Sequence, residues 1–133
     1  MGLLDKLKTA GGQSIHLDGT RTLHLAGPQH YESDLRKLVK RNREDGARVP
    51  FPATLVPEKR NKHDPNAVAV KWNGRTIGYL SKEDAAAYRP ALDHLASTGA
   101  TISVDGIVYA GHKGGKYWDV GVRMPQAKKM PTA

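Results

Sequence analysis

Asn73 and Gly74, near the middle of the chain, constrain its fold more than any other pair of residues. An Asn-Gly pair between two apolar runs is the sequence of a two-residue turn in which both positions need positive φ, so the chain doubles back there. The flanking runs agree with that turn. In residues 67–72, Val68, Val70 and Trp72 alternate onto one face, and residues 76–80 form the returning strand.

More strand signals surround this hairpin. Residues 22–26 read as a first strand, closed by Gly27-Pro28. Residues 51–58 read as a second, with Pro50, Pro52 and Pro57 marking its ends; prolines there predict a sheet edge or a barrel corner. Residues 101–110 and 118–124 pair around a glycine-rich tip at 111–115. Trp118, Val120, Val122 and Met124 alternate, so one face of the last strand is predicted to be buried.

Two helices complete the pattern. Leu35, Leu38 and Val39 follow i, i+3, i+4 spacing, Arg36, Lys37, Lys40, Arg41 and Arg43 fall largely on the other faces, and Asp45-Gly46 ends this helix. Ser81 with Asp84 three residues on is a capping box for the second. Pro90 is expected to break or restart that helix, Leu92 and Leu95 to supply its buried face, and Gly99 to stop it. About six strands this short cannot cover both faces of an open sheet. The predicted fold is mainly β, α+β by content: a small closed or half-closed six-stranded barrel with two helices plugging its ends.

At 133 residues the chain fits one domain. Its apolar share, 38%, is below the usual value and predicts sizeable disordered ends. Residues 1–20 are accordingly read as a flexible arm, 21–124 as the folded domain and 125–133 as a flexible tail. No run of apolar residues is long enough to span a membrane, and the N-terminus does not read as a secretory signal. The absence of cysteine excludes a disulfide framework, a thiol nucleophile and a thiolate metal site, and a cytoplasmic location is the simplest expectation.

The net charge is +8, and much of it is concentrated: residues 35–62 hold nine basic and three acidic residues. Such a patch attracts polyanions by releasing condensed counterions, although acidic proteins and membrane surfaces are attracted too. Within it, residues 58–66 pack three cations, one imidazole, two carboxylates and two amides into nine positions. A turn needs one or two such groups to close. No carboxylate cluster, nucleophile elbow or Walker-type phosphate loop is present, and the histidines show no ligand spacing, so neither catalysis, a metal nor a cofactor is expected.

The centre of the chain resembles the HIRAN domain family. The pattern N-x-[HY]-D-x-N-A-V-x-V is carried by Asn61, His63, Asp64, Asn66, Ala67, Val68 and Val70. I-G-Y-L-S-[KR] follows as Ile77, Gly78, Tyr79, Leu80, Ser81 and Lys82, ahead of an alanine-rich helix, and Gly27 to Tyr31 matches an upstream G-x-x-x-Y. The resemblance spans residues 22–124. It implies a modified OB-type, SH3-like barrel, and a domain found alone in bacteria and phages or fused to remodelling ATPases and nucleases. It also implies a site that grips the free 3′ end of single-stranded DNA, with end bases stacked on aromatic side chains and an aspartate on the terminal hydroxyl. That aspartate matches Asp64, the aromatic residue before it matches His63, and the aromatic pair after the first strand matches His30 and Tyr31. Lys62 stands where the family often has proline.

Each of these residues also has a purely structural reading. Asp64-Pro65 is a turn starter, and Asn61 and Asn66 read as turn-closing amides. Lys59, Arg60 and Lys62 read as solvated charges or as phosphate contacts, Arg60 able to fork two oxygens. Tyr31, Tyr79, Tyr117 and Trp118 are candidate stacking platforms, with core packing the competing reading for Trp72 and Trp118. The lysines of the 111–115 tip and its flank, Lys113 and Lys116, read as a hairpin tip in reach of backbone phosphates. The expected nucleic-acid site is His30, Tyr31, Arg60, Asn61, Lys62, His63, Asp64, Tyr79, Lys82 and Tyr117, in a non-catalytic module that binds single-stranded DNA or free 3′ ends. The competing expectation is a protein-interaction adaptor that recruits a helicase or nuclease.

Overall fold

The computed structural model describes residues 13–42, 48–109 and 118–132. Its strands are β1 (Ser14–Leu17), β2 (Arg21–His24), β3 (Arg48–Pro57), β4 (Val68–Trp72), β5 (Arg75–Tyr79), β6 (Thr101–Tyr109) and β7 (Asp119–Met124). A 3₁₀ turn, Pro28–Tyr31, leads into helix α1 (Glu32–Asn42), and helix α2 (Lys82–Ala96) separates β5 from β6. The sheet runs in the order β2-β7-β6-β3-β4-β5, every neighbouring pair antiparallel. Its two outer strands meet at a single bridge. The Ala26 N–H donates to the Tyr79 carbonyl at 2.7 Å and the Tyr79 N–H donates back to the Ala26 carbonyl at 3.3 Å. The sheet thus curls into a half-closed barrel and leaves less edge exposed than an open sheet would.

The hairpin predicted at the centre is present. Asn73 has φ 52° and Gly74 φ 79°, the left-handed pair that the turn requires, and Trp72 stands opposite Arg75. Elsewhere a close approach explains a second glycine: a Cβ on Gly106 would collide with the Phe51 ring, its cross-strand partner. Val68, Ala69 and Val70 are all fully buried, so β4 is covered on both faces rather than on one. Trp118, Val120, Val122 and Met124 are buried as their alternation implied, as are Leu35 and Leu38 of α1.

Four expectations need correction or refinement. First, β1 is a seventh strand inside the segment assigned to the flexible arm. It pairs parallel with β6, Ser14 opposite Thr101, on the flank that β7 leaves open. Its four residues are too few to carry a strand signal of their own; the order comes from the partner. Second, Pro90 lies inside α2 without breaking it. The carbonyl it leaves without a helical donor belongs to Ala86, which is exposed, so water satisfies it. Third, β3 starts at Arg48 and includes Pro50 and Pro52, yet it lies between β6 and β4. Pairing with β4 covers only Thr54 to Pro57, so the prolines sit where β3 is locally an edge. Fourth, the segment read as a flexible tail folds back. Tyr88, fully buried in α2, donates its hydroxyl to the Pro125 carbonyl at 2.5 Å, and Met130 is 7% exposed against the core. The stop signal Asp45-Gly46 and the 111–115 tip lie outside the described residues.

The capping prediction for α2 holds: the Ser81 Oγ accepts the Asp84 N–H at 3.1 Å. Gly99, at φ 82°, follows the end of the helix and donates to the Ala96 carbonyl. These two ends fix where β5 hands over to α2, and so where Tyr79, Leu80 and Lys82 sit.

Candidate nucleic-acid interface

The polar connection between β3 and β4 is held by its own side chains. The Asn61 Oδ1 accepts the N–H of His63 at 2.8 Å and of Asp64 at 3.0 Å, while its amide nitrogen donates to the Glu58 Oε1 at 2.9 Å. The Tyr79 hydroxyl donates to the other Glu58 oxygen at 3.2 Å. Asp64 Oδ1 accepts the Asn66 N–H at 2.9 Å, and the backbone closes with Ala67 N–H to the Asp64 carbonyl at 3.1 Å. The turn-closing roles of Asn61 and Asp64 are therefore real. That of Asn66 is played by its backbone N–H. Glu58, absent from the expected site, is the hub that ties the loop to β5.

Arg89 fastens the far end of the same loop. It is the buried charged residue among those described, 8% exposed, and its Nη1 donates to the carbonyls of Pro65 at 3.0 Å and Ala67 at 3.1 Å. Asp93, one turn on, takes its Nε at 2.8 Å. The Pro65 carbonyl gains its donor this way, and the buried Ala67 carbonyl, which also accepts the Glu58 N–H at 2.9 Å, gains a second. Nothing in the sequence around Arg89 distinguishes it from a solvated helix cation; its role exists only once α2 packs under the loop.

Once these bonds are made, Lys59, Arg60, Lys62 and the His63 ring have no partner among the described residues, and neither does the second oxygen of Asp64. These groups face two clefts that share Asn61 and His63. One, of about 360 Å³, is walled by Asn61, His63, Asp64, Tyr79 and Lys82 over a floor that includes Ala26, Ala67 and Leu80. The other, of about 680 Å³, is lined by Val56 to His63 and holds Lys59, Arg60 and Lys62. The loop thus presents an acceptor and aromatic side on one flank and a cationic side on the other.

Tyr31 ends the 3₁₀ turn packed on β5, and its hydroxyl lies beside that of Tyr79. Burial first, then the charge and hydrogen bond of Glu58, then Tyr31, push the Tyr79 phenol above its ordinary value. It stays a neutral donor. His30 is exposed one residue earlier and stands outside the cleft walls; Tyr117 lies outside the described residues. Trp72 and Trp118 are core residues, 8% and 6% exposed, each with a guanidinium over its ring: Arg41 at 5.8 Å and Arg36 at 6.0 Å. Arg36 also pairs with Glu32. Trp118 is therefore no open stacking platform, and two of the helix cations are already engaged.

The fold also assembles a group that spacing did not suggest: ligand atoms of His16, Asp18 and Asp105 lie within 4.8 Å of one another. All three are exposed, and Nδ1 of His16 is bonded to the Ser103 hydroxyl at 2.9 Å. Among the described residues no helix is long and apolar enough to cross a membrane.

A small curled β-barrel with two helices, and a cation-rich loop beside a tyrosine-walled cleft, is the architecture of a compact binding module. The HIRAN domain profile matches residues 19–119, and the chain belongs to the HIRAN domain family, a family of DNA-binding modules. The crystal structure of the HIRAN domain of human HLTF is similar at 21% identity and a TM-score of 0.49, over 78% of this chain and 73% of that one. No curated protein matches the chain.

Proposed function

We propose that this domain is a non-catalytic DNA-binding module that takes single-stranded DNA by its free 3′ end. The observation that carries the reading is the second oxygen of Asp64, without a partner among the described residues, at the wall of a cleft with Tyr79, His63 and Lys82. A carboxylate repels phosphate but accepts a hydrogen bond from a hydroxyl, and in a 5′-phosphorylated strand the terminal 3′-hydroxyl is the sugar donor with no phosphate on it. Tyr31 and Tyr79 supply faces for the end bases, where stacking is worth about 1–3 kcal/mol per base. Lys82 on one side and Arg60 and Lys62 on the other are placed for the flanking phosphates. The phosphates nearest the bound end are met by the loop rather than by Arg36 of α1, which pairs with Glu32 and lies over Trp118.

Anisotropy titration of labelled single strands with free and with 3′-phosphorylated ends tests this. The free end binds more tightly; equal affinity for the two would remove end recognition, and no binding at low salt would remove the DNA reading itself. The salt slope separates DNA binding from recruitment of a helicase or nuclease. On single strands, log affinity falls by about 0.7 per phosphate contact for each log unit of salt. An apolar protein interface responds little.

A further inference from the structure

The end-gripping cleft has a cationic counterpart at the other end of β5. A depression of about 250 Å³ is lined by Asp34, Lys37, Arg41, Trp72, Asn73 and Arg75. Two of its three cations are held in place. The Arg75 Nε meets the Asp34 Oδ1 at 3.2 Å, with Asp34 only 17% exposed and Arg75 64%. The Arg41 guanidinium lies over Trp72 at 5.8 Å. Lys37 has no partner among the described residues and is free to swing in. One carboxylate against three cations leaves the pocket positive, and guanidiniums fixed in advance lose little freedom on meeting an anion.

Its place relative to the first cleft is set by two elements running side by side. Tyr31, Asp34, Lys37 and Arg41 are spaced by three and four residues, so they share one face of the turn-and-helix segment. Alongside, β5 leads from Tyr79 at the first cleft to Arg75 at the second. At 1.5 Å per helical residue, Lys37 and Arg41 lie about 9 and 15 Å beyond Tyr31. At about 3.4 Å per stacked nucleotide, that is roughly three to four nucleotides of one strand.

We infer that Lys37, Arg41 and Arg75 form a second phosphate subsite, which takes the backbone of the same strand a few nucleotides inward from its bound end. The inference rests on the end-binding reading above and makes the domain a reader of strand length as well as of ends. Strands too short to reach the pocket lose its contribution; longer ones gain it.

The test compares an oligonucleotide of about 2 nucleotides, too short to reach the pocket, with one of about 12, inside the usual range for OB-type sites. Both are titrated against the parent protein, Lys37→Glu and the double variant Lys37→Ala/Arg75→Ala. Lys37→Glu changes an exposed helix position and leaves the Asp34–Arg75 pair intact, so it reads the subsite without disturbing the fold. Expected are a five- to tenfold loss on the longer strand, a salt slope shallower by about 0.7 per lost contact, and unchanged binding of the shorter strand. Equal losses on both lengths, or none on the longer, would overturn the second subsite while end binding stands. Failure of the parent to bind either strand would overturn both.

Discussion

Asp64 does two jobs with two oxygens. Oδ1 closes the turn onto the Asn66 N–H, and the other oxygen, without a partner among the described residues, is the one proposed for a ligand. Asp64→Asn separates the jobs, since the amide oxygen still accepts the Asn66 N–H while the charge is gone. A hydrogen bond to a charged group is worth about 1.5–3 kcal/mol, so affinity for a free 3′ end falls roughly 10- to 100-fold while the melting temperature barely moves. Unchanged preference for free over phosphorylated ends in this variant would remove Asp64 from the site. Tyr79 offers a pH handle. Its phenol is held above the ordinary value in the folded state, mainly by burial and then by Glu58. As pH rises past about 10, the unfolded chain gives up this proton before the folded one, so stability declines with pH there. Denaturant midpoints from about pH 9 to about pH 11 fall less steeply in Tyr79→Phe than in the parent, the remainder coming from Tyr88, which burial also raises. At this scale the sequence was informative where chemistry is local. Asn61, His63 and Asp64 share one short motif, Lys82 ends the next, and all four line one cleft. Glu58 and Arg89 escaped notice because their partners, Tyr79 and the Pro65 and Ala67 carbonyls, are far away in the chain.

Between elements, the contact that matters most to the site is the one α2 makes with the β3–β4 loop through Arg89. Arg89→Met keeps the volume and removes both donors. The Ala67 carbonyl keeps the Glu58 N–H, but the part-buried Pro65 carbonyl loses its donor, which costs about 1 kcal/mol, whereas the loss of the half-exposed Asp93 pair costs little. Chemical denaturation should show that loss together with weaker DNA binding, because the loop that carries Asp64 loosens with it. A variant that loses stability yet binds with full affinity would show that the loop holds its shape without α2. The elements themselves were largely readable, since the turn at Asn73-Gly74 and the cap at Ser81 are each set by one or two neighbouring residues. Pro90 and the β3 prolines were harder. Whether a proline breaks an element depends on what surrounds the group it leaves unbonded, here solvent beside Ala86 and an unpaired edge along β3.

For the whole molecule, the C-terminal segment belongs to the core and is not an appendage. Met130 is buried, and the Tyr88 hydroxyl is satisfied by the Pro125 carbonyl. Met130→Ala removes about 2 kcal/mol, the low end for a buried methionine because it sits at the margin of the core. A melting curve that does not shift would return this segment to the status of a tail. Its role could not be read from composition, since lysines and prolines dominate it and a single methionine does the packing. The ring of strands has a further property. Among the described residues it is closed at one place, by two hydrogen bonds between Ala26 and Tyr79, and the side chain of that same Tyr79 walls the cleft. A seam so short is where the barrel breathes first, at a free energy well below that of global unfolding. On the proposed reading DNA lodged against Tyr79 would work as a clasp, and the amides of Ala26 and Tyr79 should then exchange with solvent more slowly when the cleft is filled, while those of the β3–β6 pair keep their rates. Binding at that cleft and closure would in that sense be one event: the surface proposed to meet the ligand is also the latch that makes the chain a barrel.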